Sequence, residues 1–269
     1  MTPRYRRPVR LAAIALCLAS VAAGVTGSAG PRDVVVVLQM NLCASGFAGC
    51  YTGRSVEYAA KLIKIHRPDV VAVNEVCGSD VAVLETAVRE ISAGSVVASA
   101  FQVVPAGVNG LLTRCRDGQE YGIGLIARLA RPIQTPEFQG SPYPMQDAGH
   151  PEQRVWLCLR AAGRFVACTT HLSISAPTAF AQCGYLLGTA VPSLRAGAVQ
   201  PVRALVSGDF NLGYEGTAGL RACMPPGYLS RTDGGLQHLV ATSDFAVRAS
   251  TRIDMGGTTD HPGLLVSLG

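Results

Sequence analysis

Apolar, β-like runs in this chain end repeatedly in side chains that can bind a metal or move a proton. In order, these ends are Gln39-Met40-Asn41-Leu42, Asn74-Glu75-Val76, Thr170-His171-Leu172-Ser173, Ser207-Gly208-Asp209-Phe210-Asn211-Leu212 and the pair Asp260-His261. One such run would mean little, because a lone carboxylate at a strand end is an ordinary surface feature. Their repetition in order along most of the chain is what any fold for it must accommodate.

The N-terminus reads as a secretory signal peptide over residues 1–29. Arg4, Arg6, Arg7 and Arg10 form a basic region, Leu11 to Val25 an apolar one, and Gly27-Ser28-Ala29 supplies small residues for cleavage. An uncleaved anchor is the weaker reading. Lipidation at Cys17 is disfavoured by the bulky Leu16 before it. The signal matters for the charge. The whole chain carries +5, but the four arginines of the leader account for most of it and the mature chain is left at +1. Net charge therefore says nothing about a nucleic-acid partner.

Cysteine usage fits export and an extracellular location. Eight of the nine Cys lie beyond the leader, an even set that reads as four disulfides. Cys158 and Cys168 are symmetric about Gly163, and a hairpin turning there places them opposite each other. Cys43 and Cys50 close a short loop with Gly46 and Gly49. Sequence order then leaves Cys77–Cys115 and Cys183–Cys223, which spacing alone does not fix. No C-x-x-C occurs, so a zinc site is disfavoured. Residues 30–269 can form one domain, since no repeat, low-complexity tract or linker interrupts them.

Val34–Met40 is a continuous apolar run and reads as a strand buried on both faces, and Asp69–Asn74 reads as the next buried strand. Between them Ser55 is expected to cap a helix from Val56 to His66, with Val56, Ala59, Ala60 and Ile63 as its apolar stripe. A second amphipathic helix is expected over Val81–Ile91 and a third over Ala176–Leu187. Further strands are expected at Gly122–Leu129, Val155–Ala161, Phe165–Thr170, Leu205–Asp209, Leu236–Thr242 and Leu264–Leu268. Strands and helices mix without strict alternation, which argues for an α/β protein with mixed sheets rather than a doubly wound parallel sheet.

Glu75, at the end of a buried strand, suits a hard cation that takes one or two carboxylates plus water, and Asn41 offers a neutral oxygen beside it. Asp209 and Asn211 sit two apart, so on extended backbone they share a face. Gly208 lets backbone approach closely there. His171 and His261 have the side chain best suited to proton transfer near neutral pH.

Taken together, these motifs resemble the endonuclease/exonuclease/phosphatase superfamily, the deoxyribonuclease-I-like phosphodiesterases, from about Val34 to Leu268. The resemblance implies two mixed sheets packed face to face with helices outside, a four-layer sandwich that the disulfides would staple. It implies metal binding by Asn41, Glu75 and Asp260, with Mg²⁺ the expected ion and Mn²⁺ or Ca²⁺ as alternatives. It assigns water positioning or leaving-group handling to Asp209 and orientation to Asn211. His171 would bond the scissile phosphate or act as general acid, and His261 would act as base or transition-state stabiliser. Tyr121 and Arg154 match phosphate-contacting residues, and Glu120 is an acid that could orient His171. One position departs from the pattern. Gln237 stands where the family has an Asp that holds the final His, so Asp233 or Asp254 could substitute, and His238 could enter the site.

The expected activity is that of an exported, monomeric, metal-dependent phosphodiesterase acting on nucleic acid. A phospholipid or sphingomyelin headgroup phosphodiesterase and an inositol-phosphate phosphatase are the alternatives within the class. A non-catalytic exported binding protein is the alternative outside it, favoured only by Gln237.

Overall fold

Each of the two sheets places a parallel pair of strands at its centre, and both pairs run toward the same end of the molecule. The computed structural model describes residues 34–107, 111–130, 135–161, 163–196 and 202–269. The expected signal segment lies outside them. The first sheet contains β1 (Val35–Asn41), β2 (Val70–Cys77), β3 (Ser95–Val103), β4 (Tyr121–Ala130), β11 (Val247–Ile253) and β12 (Gly263–Leu268), in the order β11-β12-β1-β2-β4-β3. The second contains β5 (Glu137–Pro142), β6 (Val155–Ala161), β7 (Phe165–His171), β8 (Arg203–Asp209), β9 (Tyr228–Thr232) and β10 (Gln237–Thr242), in the order β5-β6-β7-β8-β10-β9. β1 pairs with β2 and β7 with β8 in parallel; the other pairings are antiparallel.

Alternation sorts the side chains into layers. Val37, Ala72, Ile123 and Leu125 of the first sheet meet Leu157, Ala167, Leu205 and Leu239 of the second in the central core. The opposite faces carry the helices. Leu38, Met40, Val71 and Val73 pack under α1 (Ser55–His66) and α2 (Gly78–Glu90). Trp156, Val166 and Val206 pack under α3 (Ala176–Tyr185), a π turn (Leu186–Ala190), α4 (Val191–Ala196) and α5 (Leu220–Cys223). The result is helix, sheet, sheet, helix, as the motifs implied.

The cysteines pair as Cys43–Cys50, Cys77–Cys115, Cys158–Cys168 and Cys183–Cys223. Cys158 and Cys168 are register partners across the β6–β7 hairpin.

Two local expectations fail. Ser55 is the first helical residue rather than the cap. Arg54 precedes it without a side-chain cap bond, and Ser55 is buried. The four strands that sequence patterning missed, β3, β5, β9 and β11, are the four sheet edges. Edge strands are covered incompletely and need no continuous apolar run; β11 is exposed at most of its positions.

Candidate active site

The C-terminal ends of β1, β2, β7 and β8 open into one cleft of about 610 Å³, lined by Glu75, Tyr121, Arg154, His171, Asp209 and His261, with Asn211 at its wall. Strand direction explains the gathering. Asn41 is beside Asn74 in the β1–β2 register, and His171 beside Asp209 in the β7–β8 register. The two parallel pairs lie face to face, so their ends meet.

Glu75 reaches the cleft because β2 does not run regularly into it. The β2–β4 register shifts between Val73 and Val76, and Glu75 takes φ +56°. A bulge of this kind turns a side chain away from its strand's normal alternation. Asn41 Nδ2 donates to Glu75 Oε1 at 2.8 Å and to Asp209 Oδ2 at 3.0 Å, while its Oδ1 accepts the Cys43 N–H. The amide nitrogen, not the oxygen, faces the two carboxylates. Burial raises the Glu75 pKa, with nearby Glu152 and Asp209 adding to the rise and the Asn41 hydrogen bond opposing it.

Asp209 is almost wholly buried and is held at every side. Its Oδ2 accepts from Asn41 and, at 2.8 Å, from Gln237 Nε2; its Oδ1 accepts the Asn211 N–H at 3.0 Å. Gly208 makes this position possible. A Cβ there would sit 2.1 Å from the Thr170 carbonyl oxygen. Asp209 and Asn211 come together by a turn, not by strand alternation. β8 ends at Asp209, Asn211 has φ +49°, and Asn211 Nδ2 donates to the Leu172 carbonyl at 2.8 Å.

His171 is oriented by Arg154 rather than by Glu120. Arg154 Nη1 approaches His171 Nδ1 at 3.1 Å and pairs with Glu152 at 2.6 Å. Guanidinium has no acceptor, so Nδ1 accepts and the ring proton sits on Nε2. That nitrogen is 3.9 Å from Glu75 Oε1. Burial, followed by the Arg154 charge, holds the His171 pKa well below its ordinary value. Tyr121 starts β4 and is buried, which pushes its phenol pKa well above 10.0.

His261 Nε2 lies 3.7 Å from Asp209 Oδ2 and 3.6 Å from Asp260 Oδ1. Asp260 itself is exposed and lines, with Arg252 and Met255, a neighbouring depression that shares His261 with the cleft. Gln237, at the departing position, does contact His261, with Nε2 at 3.3 Å from Nδ1. The proposed substitutes do not take that place. Asp233 caps its own turn at the Gly235 and Gln237 amides, and Asp254 accepts the Gly256 N–H. His238 points away from the cleft, giving Nε2 to the Leu212 carbonyl at 2.7 Å and packing on Phe210.

Patterning singled out neither Asn74, nor Gln39, nor Glu152 as a site residue. Asn74 and Gln39 are fully buried amides inside apolar strands, a placement that requires partners and could have flagged them. Glu152 lies two residues from Arg154 with the opposite charge.

Among the described residues, the groups of three candidate ligands whose donor atoms lie within 4.8 Å of one another all draw on disulfide cysteines. The cleft instead offers a desolvated carboxylate at Glu75 near the acids Glu152 and Asp209. That donor set fits an ion that keeps much of its water and takes only one or two carboxylates.

The endonuclease/exonuclease/phosphatase family profile matches residues 40–261. No curated protein sequence matches the chain. Among solved structures, an endonuclease/exonuclease/phosphatase from Beutenbergia cavernae is similar at TM-score 0.62 and 18% identity, over 88% of this chain and 72% of that one. D. rerio TDP2 complexed with a single-strand DNA product is similar at 0.59 and 12%, over 88% and 99%. A mannosyl-6-phosphatase from Bacteroides thetaiotaomicron is similar at 0.59 and 14%, over 87% and 99%. At these identities the likeness establishes the fold alone.

Proposed function

Because the chain belongs to the endonuclease/exonuclease/phosphatase family, we propose that it is an exported, divalent-metal-dependent phosphodiesterase whose substrate is nucleic acid. The observation that carries the reading is the convergence of Glu75, Asp209, Asn211, His171, Arg154 and His261 on one cleft. Glu75 would hold the ion, with Mg²⁺ the expected one. The Asn41 oxygen could join it only by turning away from the Cys43 amide. Asp260 would contribute from the rim. When bound, the ion would neutralise charge developing on the phosphate and help the leaving group depart.

The chain's own side chains supply the rest. Asp209, fixed by three donors, accepts a hydrogen bond from the attacking water and aligns it. Arg154 and the Nε2–H of His171 donate to phosphate oxygens. Burial keeps His171 neutral, so it gives a hydrogen bond without adding charge. Tyr121 stays protonated and can donate in the same way.

The cleft rim favours a substrate with stackable bases. Phe47 is 66% exposed there, and the Arg116 guanidinium lies 5.6 Å from its ring centroid. Aromatic faces and cations together suit single-stranded nucleic acid. Ile174, also exposed at the rim, is the feature that favours a lipid phosphodiester as second reading.

Plasmid nicking by the oxidised mature protein, with Mg²⁺ or EDTA and beside His261→Ala, tests the reading. Metal-dependent nicking that is absent in the variant supports a nuclease. A folded protein that leaves DNA intact but cleaves lipid or inositol phosphoesters would move the substrate class. Inactivity on all of them would leave a non-catalytic binding protein.

A further inference from the structure

A relay of three buried amides crosses from one sheet to the other and ends on the His261 ring. It starts at Asn74, where the backbone fixes the orientation. Asn74 Oδ1 accepts the Asp209 N–H at 2.9 Å, and its Nδ2 donates to the Thr170 carbonyl at 2.9 Å. The Gln39 atom 2.6 Å from Asn74 Oδ1 must therefore be its nitrogen. Gln39 Nε2 has a second hydrogen, directed at Gln237 Oε1 at 3.0 Å. That leaves Gln237 Nε2 facing both Asp209 Oδ2 and His261 Nδ1, at 2.8 and 3.3 Å. Asp209 imposes the same orientation independently, because its Oδ2 already accepts from the Asn41 Nδ2, itself fixed by the Cys43 N–H, and so meets Gln237 as an acceptor. Gln39, Asn74 and Gln237 are each fully buried, so none can exchange its partners for water.

The geometry points to Gln237 as a positioning residue whose amide N–H faces His261 Nδ1, which makes Nδ1 the accepting nitrogen and puts the ring N–H on Nε2. His261 Nε2, 3.7 Å from Asp209 Oδ2 and 3.6 Å from Asp260 Oδ1, then carries its N–H at the cleft lining, and gives a hydrogen bond to a substrate phosphate oxygen rather than drawing a proton from water. A carboxylate at position 237 would accept from Nδ1–H and leave Nε2 free as a base. The change of one side chain thus moves the basic function from the ring to Asp209. The functional half of this inference rests on the phosphodiesterase reading above; the tautomer half does not.

The test is ¹⁵N NMR of the full oxidised protein labelled at histidine, with His261 assigned by His261→Gln. Two-bond couplings to the ring protons should show a pyridine-like Nδ1 and a protonated Nε2 in the wild type. Gln237→Glu should reverse the two nitrogens and lower kcat on bis(p-nitrophenyl) phosphate with Mg²⁺ at least about tenfold, in line with loss of an oxyanion donor. A wild-type His261 protonated on Nδ1 overturns the inference, and that spectrum needs no variant to fold. A reversed tautomer with kcat unchanged or raised overturns the donor role. A wild type with the expected tautomer but no activity on any phosphodiester would instead sink the functional reading and leave the tautomer assignment standing.

Discussion

Asn74 Oδ1 accepts the backbone N–H of Asp209 at 2.9 Å, joining β2 of one sheet to β8 of the other across a sequence separation of 135. This buried bond ties together the two sheets whose strand ends line the cleft. Asn41, the register partner of Asn74 on β1, bridges Glu75 and Asp209 through its amide nitrogen.

Asp209→Asn should abolish turnover and also cost stability. The carboxylate accepts from Asn41, Gln237 and Asn211, whereas an amide must turn an N–H toward one of these donors. We expect a loss of about 10²–10⁴ in kcat and about 1–3 kcal/mol in unfolding free energy. Steady-state kinetics and urea unfolding check the two together. Full activity in the variant would remove Asp209 from water alignment.

Glu75→Gln should stabilise the metal-free protein at neutral pH while removing its response to metal. The Glu75 pKa is raised from 4.5 by burial. The folded state therefore binds more protons than the unfolded state just above 4.5, and stability falls as pH rises through that window. Gln removes this loss. In EDTA, the urea midpoint of the variant should exceed that of the wild type more at pH 7 than at pH 4. In Mg²⁺ only the wild type should gain thermal stability. An equal Mg²⁺-induced shift in both proteins would exclude Glu75 as a ligand.

Two buried histidines should make the fold acid-sensitive. His171 and His238 both have pKa values lowered from 6.5, each chiefly by burial. Below 6.5 the unfolded chain takes up protons that the folded protein refuses, so stability is lost as pH falls through that value. Urea midpoints between pH 7.5 and 5.5 should decline in the wild type and decline less in His238→Gln. His238 is the cleaner probe, because it lies outside the cleft and bonds only the Leu212 carbonyl. Identical pH slopes would contradict its neutral burial.

Gly208→Ala should be among the most damaging single-methyl additions. The new Cβ would meet the Thr170 carbonyl oxygen at 2.1 Å, backbone against backbone in the β7–β8 pair. We expect a cost of about 3 kcal/mol, together with displacement of the neighbouring Asp209 and a fall in kcat. Unfolding free energy and kinetics of a single preparation decide it. A variant as stable and active as the wild type would mean that the two strands can separate freely.

The sequence by itself determined the strands at the middle of each sheet, because strands covered on both faces must be nearly continuous in apolar residues. It also determined the Cys158–Cys168 hairpin, whose partners are near in the chain, and the residues that end the central strands. It could not place the edge strands, whose exposed positions carry no apolar signal. Nor could it give the bulge that turns Glu75 into the cleft, the choice of Arg154 over Glu120 beside His171, or the placement of Asp260 at the rim. These follow from packing one sheet on the other. The amide relay makes the reason plain: Gln39 and Gln237 meet across a separation of 198 residues. No local pattern encodes that contact, and it exists only once the central core has brought β1 and β10 face to face.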